Sequence, residues 1–518
     1  MDSSSIIPSS PHNLSPHVLL LALPALGHVN ALFHLAKLLS FKGVAITYVC
    51  AHHCISILER ELHAANSSAN ALIRLVGLPE RVSLGDGHIA SSKVFFEVVC
   101  GMKDDFMQLV KQQLQIAGGE RETQASFAAP SAILSDNFIF WARDVAIAFN
   151  LAHYVFFPFS ASPLTVMLSL PLLISQGHVP LKSAAEPQLI TLPSLPPLWN
   201  KDLPTCLHEV DGKAELEWKL TCGFNLIKAS TILINTSYEM EANAIEALQS
   251  KDGSHQTKQK VLTVGPVLPR DFPNDHRLHS ESENPGHTEC SRWLNSKNVG
   301  SVLYVSFGSI YSLGMEEITE LALGLEASSY AFLWVLRQPR SASSKNNNSL
   351  LSDLLPEGFQ SRLKDRCFIS SGWAPQLFIL SHPSVGAFLT HCGWNSILES
   401  ISFGVPLIAC PKFAEQHLNC RLIVDQLKIG IELSKDHRGF PSREELETTT
   451  RLLMEGEGGR GVKKNVAALK DIIRKSVKKG GSSYENVEAF VHEIFQLSAT
   501  HSKDESHANK NISSTGID

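Results

Sequence analysis

Short, almost wholly apolar runs that break at a glycine or polar residue and hand over to helical spacing recur along this chain. His17–Leu23 is the first; it ends at Pro24-Ala25-Leu26-Gly27-His28, and Leu32, Leu35, Leu38 and Leu39 follow at helical spacing until Gly43. Val44–Cys50 is the next apolar run. A continuous apolar run suits a strand buried on both faces, the situation of a parallel sheet between layers of helices. Strand, loop, helix and strand in that order make a βαβ unit, so the fold class is α/β with a parallel sheet.

The pattern returns. Ala132–Leu134 ends in Ser135-Asp136-Asn137 and leads into a helical segment through Trp141, Val145 and Phe149, with Tyr154–Phe157 as the following strand. In the second half Val302–Phe307 runs into Gly308-Ser309 and a helix over Met315–Glu326, and the runs Phe332–Leu336, Cys367–Ser370 and Gly386–Thr390 come after. Residues 269–290 are polar and charged, with Pro273, Asn274, Pro285 and Gly286, a composition suited to a linker. At 518 residues the chain exceeds one ordinary core, which agrees with two large domains. The expected division is a disordered start over 1–15, a first domain over 16–268, the linker, a second domain over 291–482, a last helix over 483–498 and a polar disordered tail over 499–518.

Composition removes several classes of function. The net charge of −6 is mild and no run of Lys and Arg marks a nucleic-acid surface. Ten cysteines are scattered without paired C-x-x-C spacing, so neither a zinc site nor a disulfide framework is signalled; Cys50 and Cys54 with His52 and His53 make only a sparse metal set. The run Val18–Leu26 is too short for a membrane span, and no basic segment precedes it. The longer apolar region Phe149–Ile174 is interrupted by Pro158, Pro163 and Pro171. A cytosolic protein with free thiols, acting without membrane or nucleic acid, is the expectation.

His391-Cys392-Gly393-Trp394-Asn395-Ser396 follows the strand Gly386–Thr390 and precedes a helix read as Ser396–Phe403. Amides at a helix N-terminus, backed by its dipole, form an anion site, with Asn395 and Ser396 as capping residues. His391 and Ser309, each at a strand end, can converge on the same anion. Glu399 shares a helix face with Asn395; a carboxylate cannot bind phosphate but accepts two hydrogen bonds from a ribose diol. These parts fit a nucleoside diphosphate, and the absence of G-x-x-x-x-G-K-[ST] argues against a P-loop nucleotidase. His28 lies beyond a strand's carboxyl end, where parallel sheets place ligands. Asp136 by itself reads as a loop carboxylate, and Cys392 as a packed thiol.

From Trp373 to Gln416 the chain resembles the signature box of plant UDP-dependent glycosyltransferases: tryptophan opens it, His-Cys-Gly-Trp-Asn-Ser is central, and an acidic residue with Gln closes it. The Gly27-His28 motif, Asp136 and the Phe-Gly-Ser turn at 307–309 match as well, so the resemblance covers most of residues 16–497. It implies the GT-B architecture, two facing Rossmann-like domains with a cleft between them, and a final helix that crosses back to the first domain. It implies that Trp373 stacks on uracil, that the Ala374 backbone meets the base edge, and that Gln376 and Glu399 hold the ribose. Ser309, His391, Asn395 and Ser396 would bind the diphosphate; Trp394, Glu415 and Gln416 would contact the sugar. A closing Gln goes with glucose in this family, and Trp394 in place of Arg disfavours a glucuronate donor. His28 would be the general base and Asp136 its orienting partner.

The function so implied is inverting transfer of glucose from UDP-glucose to a hydroxyl, with an aromatic carbon as another target, of a small lipophilic acceptor such as a flavonoid or other phenolic. A monomer is expected, with no metal and no cofactor beyond the co-substrate, since no Asp-x-Asp motif occurs. A nucleotide-sugar epimerase of the same architecture and a non-catalytic UDP-sugar-binding protein are the competing readings; the His28 and Asp136 pair disfavours both. Acceptor contacts are expected from 77–105, 154–170 and 183–205. Two departures stand out: Cys410 where Trp is common, and Ala31 where Pro is common.

Overall fold

The computed structural model describes residues 15–64, 68–81, 92–118, 127–182, 186–192, 195–208, 213–249, 260–269, 285–337, 353–372 and 374–513. The first half carries β1 (His17–Leu21), β2 (Ala45–Ala51), β3 (Ile73–Leu78), β4 (Pro130–Asp136) and β5 (Ala152–Phe157). An antiparallel pair of two-residue strands, β6 (Leu189–Ile190) and β7 (Leu198–Trp199), lies within 183–205, and β8 (Thr231–Ile234) and β9 (Lys260–Thr263) complete the half. The main strands form one parallel sheet in the order β3-β2-β1-β4-β5-β8-β9. The second half repeats the plan with β10 (Val302–Ser306), β11 (Ala331–Val335), β12 (Cys367–Ser370), β13 (Val385–Thr390), β14 (Leu407–Ala409) and β15 (Gly430–Glu432), ordered β12-β11-β10-β13-β14-β15.

The apolar runs are buried on both faces. Val18, Leu20, Ile46 and Tyr48 face one core with helix α1 (Leu26–Phe41), while Leu19, Leu21, Val49 and Ile133 face another. Gly43, at φ +88°, ends α1 in the left-handed conformation that costs glycine least.

Each sheet reverses its winding once, between β1 and β4 in the first and between β10 and β13 in the second. At such a switch the connections leave toward opposite faces, and a crevice opens beyond the strands' carboxyl ends. His28 follows β1 and Asp136 ends β4; Ser309 follows β10 and His391 follows β13. Topology alone therefore collects these four residues in two pairs.

Helix α2 (Trp394–Phe403) starts two residues earlier than its expected start at Ser396. Its N-cap is the extended Gly393 and no side chain caps it, so Asn395 and Ser396 lie inside the first turn, not at the cap. The reason is local: Cys392, at φ +66°, turns the chain sharply enough for the helix to begin at once. Elsewhere, the linker range ends inside a helix over Pro285–Asn295, and residues 270–284 lie outside the described residues, as do 1–14 and 514–518. The last helix, α3 (Ser482–Ser513), runs past the expected end at 498.

Helix α3 packs on the first half. Val487, Phe490, Val491 and Ile494 join the core around β1 and β2. Tyr154 Oη donates to Glu493 at 2.8 Å and Asn486 Nδ2 donates to the Thr263 carbonyl at 3.0 Å. Among the described residues no helix is long and apolar enough to cross a membrane.

Candidate active site

His28 occupies the first turn of α1, with its side chain 15% exposed against a fully buried Asp136. Its Nδ1 lies 2.7 Å from Asp136 Oδ2, across a sequence separation of 108 residues. A carboxylate only accepts, so Nδ1 carries the proton and Nε2 keeps its lone pair for another group. The second carboxylate oxygen accepts the Phe138 amide at 3.0 Å, which fixes the acid in turn.

Aromatic rings wall the imidazole. Phe159 stands edge-on at 5.1 Å, Phe138 lies tilted at 5.7 Å, and Phe138 touches Trp218 at 5.7 Å. Trp218 also meets Phe95 at 6.1 Å and Phe96 at 6.0 Å. Of the expected acceptor stretches, 154–170 supplies Phe159 and 77–105 supplies Phe95 and Phe96; residues 82–91, 183–185 and 193–194 lie outside the described ones.

The second half meets this wall directly. Asn395 Nδ2 donates to the Gly27 carbonyl at 2.7 Å, which places the start of α2 one residue from His28. Trp394 Nε1 donates to the Asn235 carbonyl at 2.6 Å, and its ring is 3% exposed within the core under α2. Its side chain is thus committed to the seam between the halves, so any contact of residue 394 with a sugar falls to the backbone. Ser160 Oγ donates to Asn419 Oδ1 at 2.9 Å, and Thr205 exchanges two hydrogen bonds with Ala414. Asn235, Ser160, Thr205 and Asn419 carried no sequence signal beyond their positions, because the bonds they make join segments far apart in the chain.

His391 threads between two glycines. A Cβ on Gly308 would stand 2.6 Å from its ring and one on Gly393 would stand 2.4 Å from Nε2, so both the Phe-Gly-Ser turn and the His-Cys-Gly turn need glycine there. Burial, with Lys412 acting in the same direction, pushes the His391 imidazole down to about 4. Near neutral pH it is therefore a neutral hydrogen-bonding ring, not a cation.

Gln376, at the start of a short helix, organises the neighbouring polar cluster. Its Nε2 donates to Ser396 Oγ at 2.9 Å and to Glu399 Oε2 at 2.7 Å, while Tyr304 Oη donates to its Oε1 at 3.0 Å. Burial pushes the Glu399 carboxyl up to about 7 with only Gln376 holding it down. An incoming diol would relieve that desolvation. Glu415 is likewise pushed up to about 7 by burial, with the hydrogen bond it accepts from Asn419 Nδ2 at 3.3 Å opposing the shift. Gln416 Oε1 accepts the amides of Lys412 and Phe413 at 2.9 and 3.1 Å, locking the turn before it. Ala374 is half-buried against the core under α2; Trp373 lies outside the described residues. Cys410, fully buried beside Leu389, Ile408 and Leu433, faces the core on the opposite side of β14 from Leu407 and Ala409.

The structure therefore brings Ser309, His391, Asn395, Ser396, Glu399 and Gln376 to the edge of one sheet, opposite His28 and Asp136 at the edge of the other. The chain matches the family described as UDP-glucoronosyl and UDP-glucosyl transferase over residues 131–475. It is 34% identical over 475 residues to UDP-glycosyltransferase 72B1 of Arabidopsis thaliana, covering 90% of this chain and 94% of that one. It is 36% identical over 364 residues to hydroquinone glucosyltransferase of Rauvolfia serpentina, covering 68% and 73%. Among solved structures, Phytolacca americana UGT2 complexed with UDP-2-fluoro-glucose and pterostilbene superposes with a TM-score of 0.76 at 27% identity, over 93% of this chain and all of that one. The two-sheet arrangement is that of the GT-B glycosyltransferases, and the chain belongs to the UDP-glucuronosyl and UDP-glucosyl transferase family, enzymes that move a sugar from a UDP-sugar to a small acceptor.

Proposed function

We propose that the protein is an inverting glucosyltransferase that takes glucose from UDP-glucose and places it on a hydroxyl of a flat, lipophilic aromatic acceptor. The observation that carries this reading is the His28–Asp136 hydrogen bond of 2.7 Å, set in a wall of phenylalanines and one residue from the bond between Gly27 and Asn395. His28 Nε2 accepts the acceptor's hydroxyl proton as the oxygen attacks the anomeric carbon. The bond from that carbon to the diphosphate breaks on the opposite face, so an α-linked donor yields a β-glycoside and UDP. Asp136 holds the ring in the right tautomer and stabilises the imidazolium while it lasts.

On the donor side, amides in the first turn of α2, Ser309 and neutral His391 receive the diphosphate. Gln376 and Glu399 take the ribose, Trp373 and Ala374 the base, and Glu415 and Gln416 the sugar, with Asn395 and Ser396 in the helix turn beneath. An aromatic acceptor is favoured by the ring cluster of Phe138, Phe159 and Trp218. The hydroquinone named for one relative and the pterostilbene bound by one solved structure are phenolic in the same way. A cytosolic, monomeric enzyme with no nucleic-acid or membrane partner completes the proposal.

Mass spectrometry of reactions with UDP-glucose and a panel of phenols, flavonoids and terpenoid alcohols tests it. Hexosylated phenols and released UDP are expected. Conversion of UDP-glucose without any acceptor would mean an epimerase instead, and no conversion of any kind would sink the catalytic reading. A product that resists acid hydrolysis would carry its sugar on carbon.

A further inference from the structure

A donor diphosphate brings negative charge to the edge of the second sheet, yet few of the residues assigned to it carry positive charge. His391 is neutral above a pH of about 4. The N-terminus of α2 supplies about half a positive charge. Lys412 lies over the rings of Phe307 and Tyr311, 5.1 and 5.5 Å from their centres, but its ammonium is paired with Glu317 and both side chains are almost fully buried. Glu399 and Glu415 add buried carboxyl groups to the same region. The charge needed to hold a diphosphate is missing from this set.

Arg337 lies just past the end of β11, beside β10, and its Nη1 donates to the Ser309 carbonyl at 2.6 Å. Among the described residues it makes that one hydrogen bond and no ion pair. A guanidinium has five N–H donors in a rigid fork, so most of them are unspent. The side chain is half-buried, and the loss of water around it pulls its pKa below the ordinary arginine value. A partly desolvated cation with one hydrogen bond and no counterion is costly unless an anion arrives to share it.

We propose that Arg337 is a further donor-binding residue, the cation that meets the UDP diphosphate at the Ser309 turn. The inference rests on the donor-site reading above. It gives the Ser309 contact a double use: the bond fixes the turn, and it holds the guanidinium beside that turn at the strand end. A purely structural Arg337 would hold the turn equally for any nucleoside ligand. An anion-binding Arg337 discriminates between ligands with and without phosphates.

Titration calorimetry with UDP and with uridine on the full-length wild type, Arg337→Gln and Arg337→Lys separates these. The wild type should prefer UDP over uridine. Arg337→Gln should lower that preference about 10–100-fold, as expected for losing hydrogen bonds to a charged partner, while uridine affinity stays within about two-fold. Arg337→Lys should recover part of the preference, because it keeps the charge but not the fork. Equal weakening of UDP and uridine, or an unchanged UDP preference in Arg337→Gln, overturns the proposal. If Arg337→Gln binds neither ligand, Arg337→Lys decides: a lowered UDP preference with uridine binding intact supports the assignment, and equal weakening of both ligands or an unchanged preference overturns it. A wild type without preference for UDP would instead remove the donor-site reading itself.

Discussion

His28 Nδ1 and Asp136 Oδ2 stand 2.7 Å apart because the strands before them, β1 and β4, are neighbours at the winding reversal of the first sheet. With the proton held on Nδ1, the whole basicity of the ring is presented at Nε2. Replacing His28 by Ala should cut turnover about 10²–10⁴-fold while UDP affinity, which the proposal assigns to the other half, stays nearly unchanged. Steady-state rates and calorimetry on the same variant measure both; near-normal turnover would take His28 out of the mechanism.

The ring wall predicts where acceptor recognition is concentrated. Phe159 touches His28, Phe138 and Phe157 edge-on, at 5.1, 5.9 and 5.2 Å. Phe159→Leu keeps most of the volume but loses the aromatic face, worth about 0.5–1.5 kcal/mol per ring pair. KM for a phenolic acceptor should rise several-fold and KM for UDP-glucose should not move. An equal change in both constants would place Phe159 in general packing.

Trp394 gives a prediction of the opposite kind. Its indole N–H ends on the Asn235 carbonyl at 2.6 Å, inside the seam. Trp394→Phe leaves that carbonyl without its donor and should cost about 1–3 kcal/mol of stability. Donor KM should stay within a few-fold, since the side chain is not expected at the sugar. Denaturant titration beside donor kinetics checks the split, and a variant of unchanged stability with a large donor defect would reverse the assignment.

At the end of the signature box, Gln416 spends its oxygen on the turn amides of Lys412 and Phe413. Gln416→His should shift the donor ratio toward UDP-galactose in direct competition assays. An unchanged ratio would leave Gln416 as a residue that shapes the turn and nothing more.

Acid should destabilise the fold. Burial holds His17, His34, His153, His391 and His417 at about 4, against an ordinary value of 6.5. Between 6.5 and 4 the unfolded chain therefore binds protons that the folded chain refuses, and stability falls as pH falls. Glu399 and Glu415, raised from 4.5 to about 7, work the other way between those values, because there the folded chain keeps protons that the unfolded chain gives up. Five groups oppose two, so thermal midpoints should drop as pH is taken from 7 to 4. A flat profile would show that the histidines are not the controlling groups.

Much of this was legible in the sequence because both switch points are written in local language: an apolar run, then Gly-His, Ser-Asp, Phe-Gly-Ser or His-Cys-Gly. What could not be read were the consequences of the halves meeting. Asn395 and Ser396 look like helix caps, yet Gly393 takes that position, freeing Asn395 to reach Gly27 and Ser396 to accept from Gln376. Trp394 looks like a ligand contact, yet its partner is a carbonyl 159 residues away. Arg337 follows an apolar strand and carries no motif; what singles it out is its one bond, to the Ser309 turn, and its want of a counterion among the described residues.

The return of α3 to the first half bears on how the protein is made. Val487, Phe490, Val491 and Ile494 complete the core around β1 and β2, although β1 begins at His17. During vectorial synthesis the first sheet leaves the ribosome long before its covering helix does. For most of translation that half must wait with an apolar face uncovered, open to chaperones and to misassociation. Truncating the chain before residue 487 would make the wait permanent.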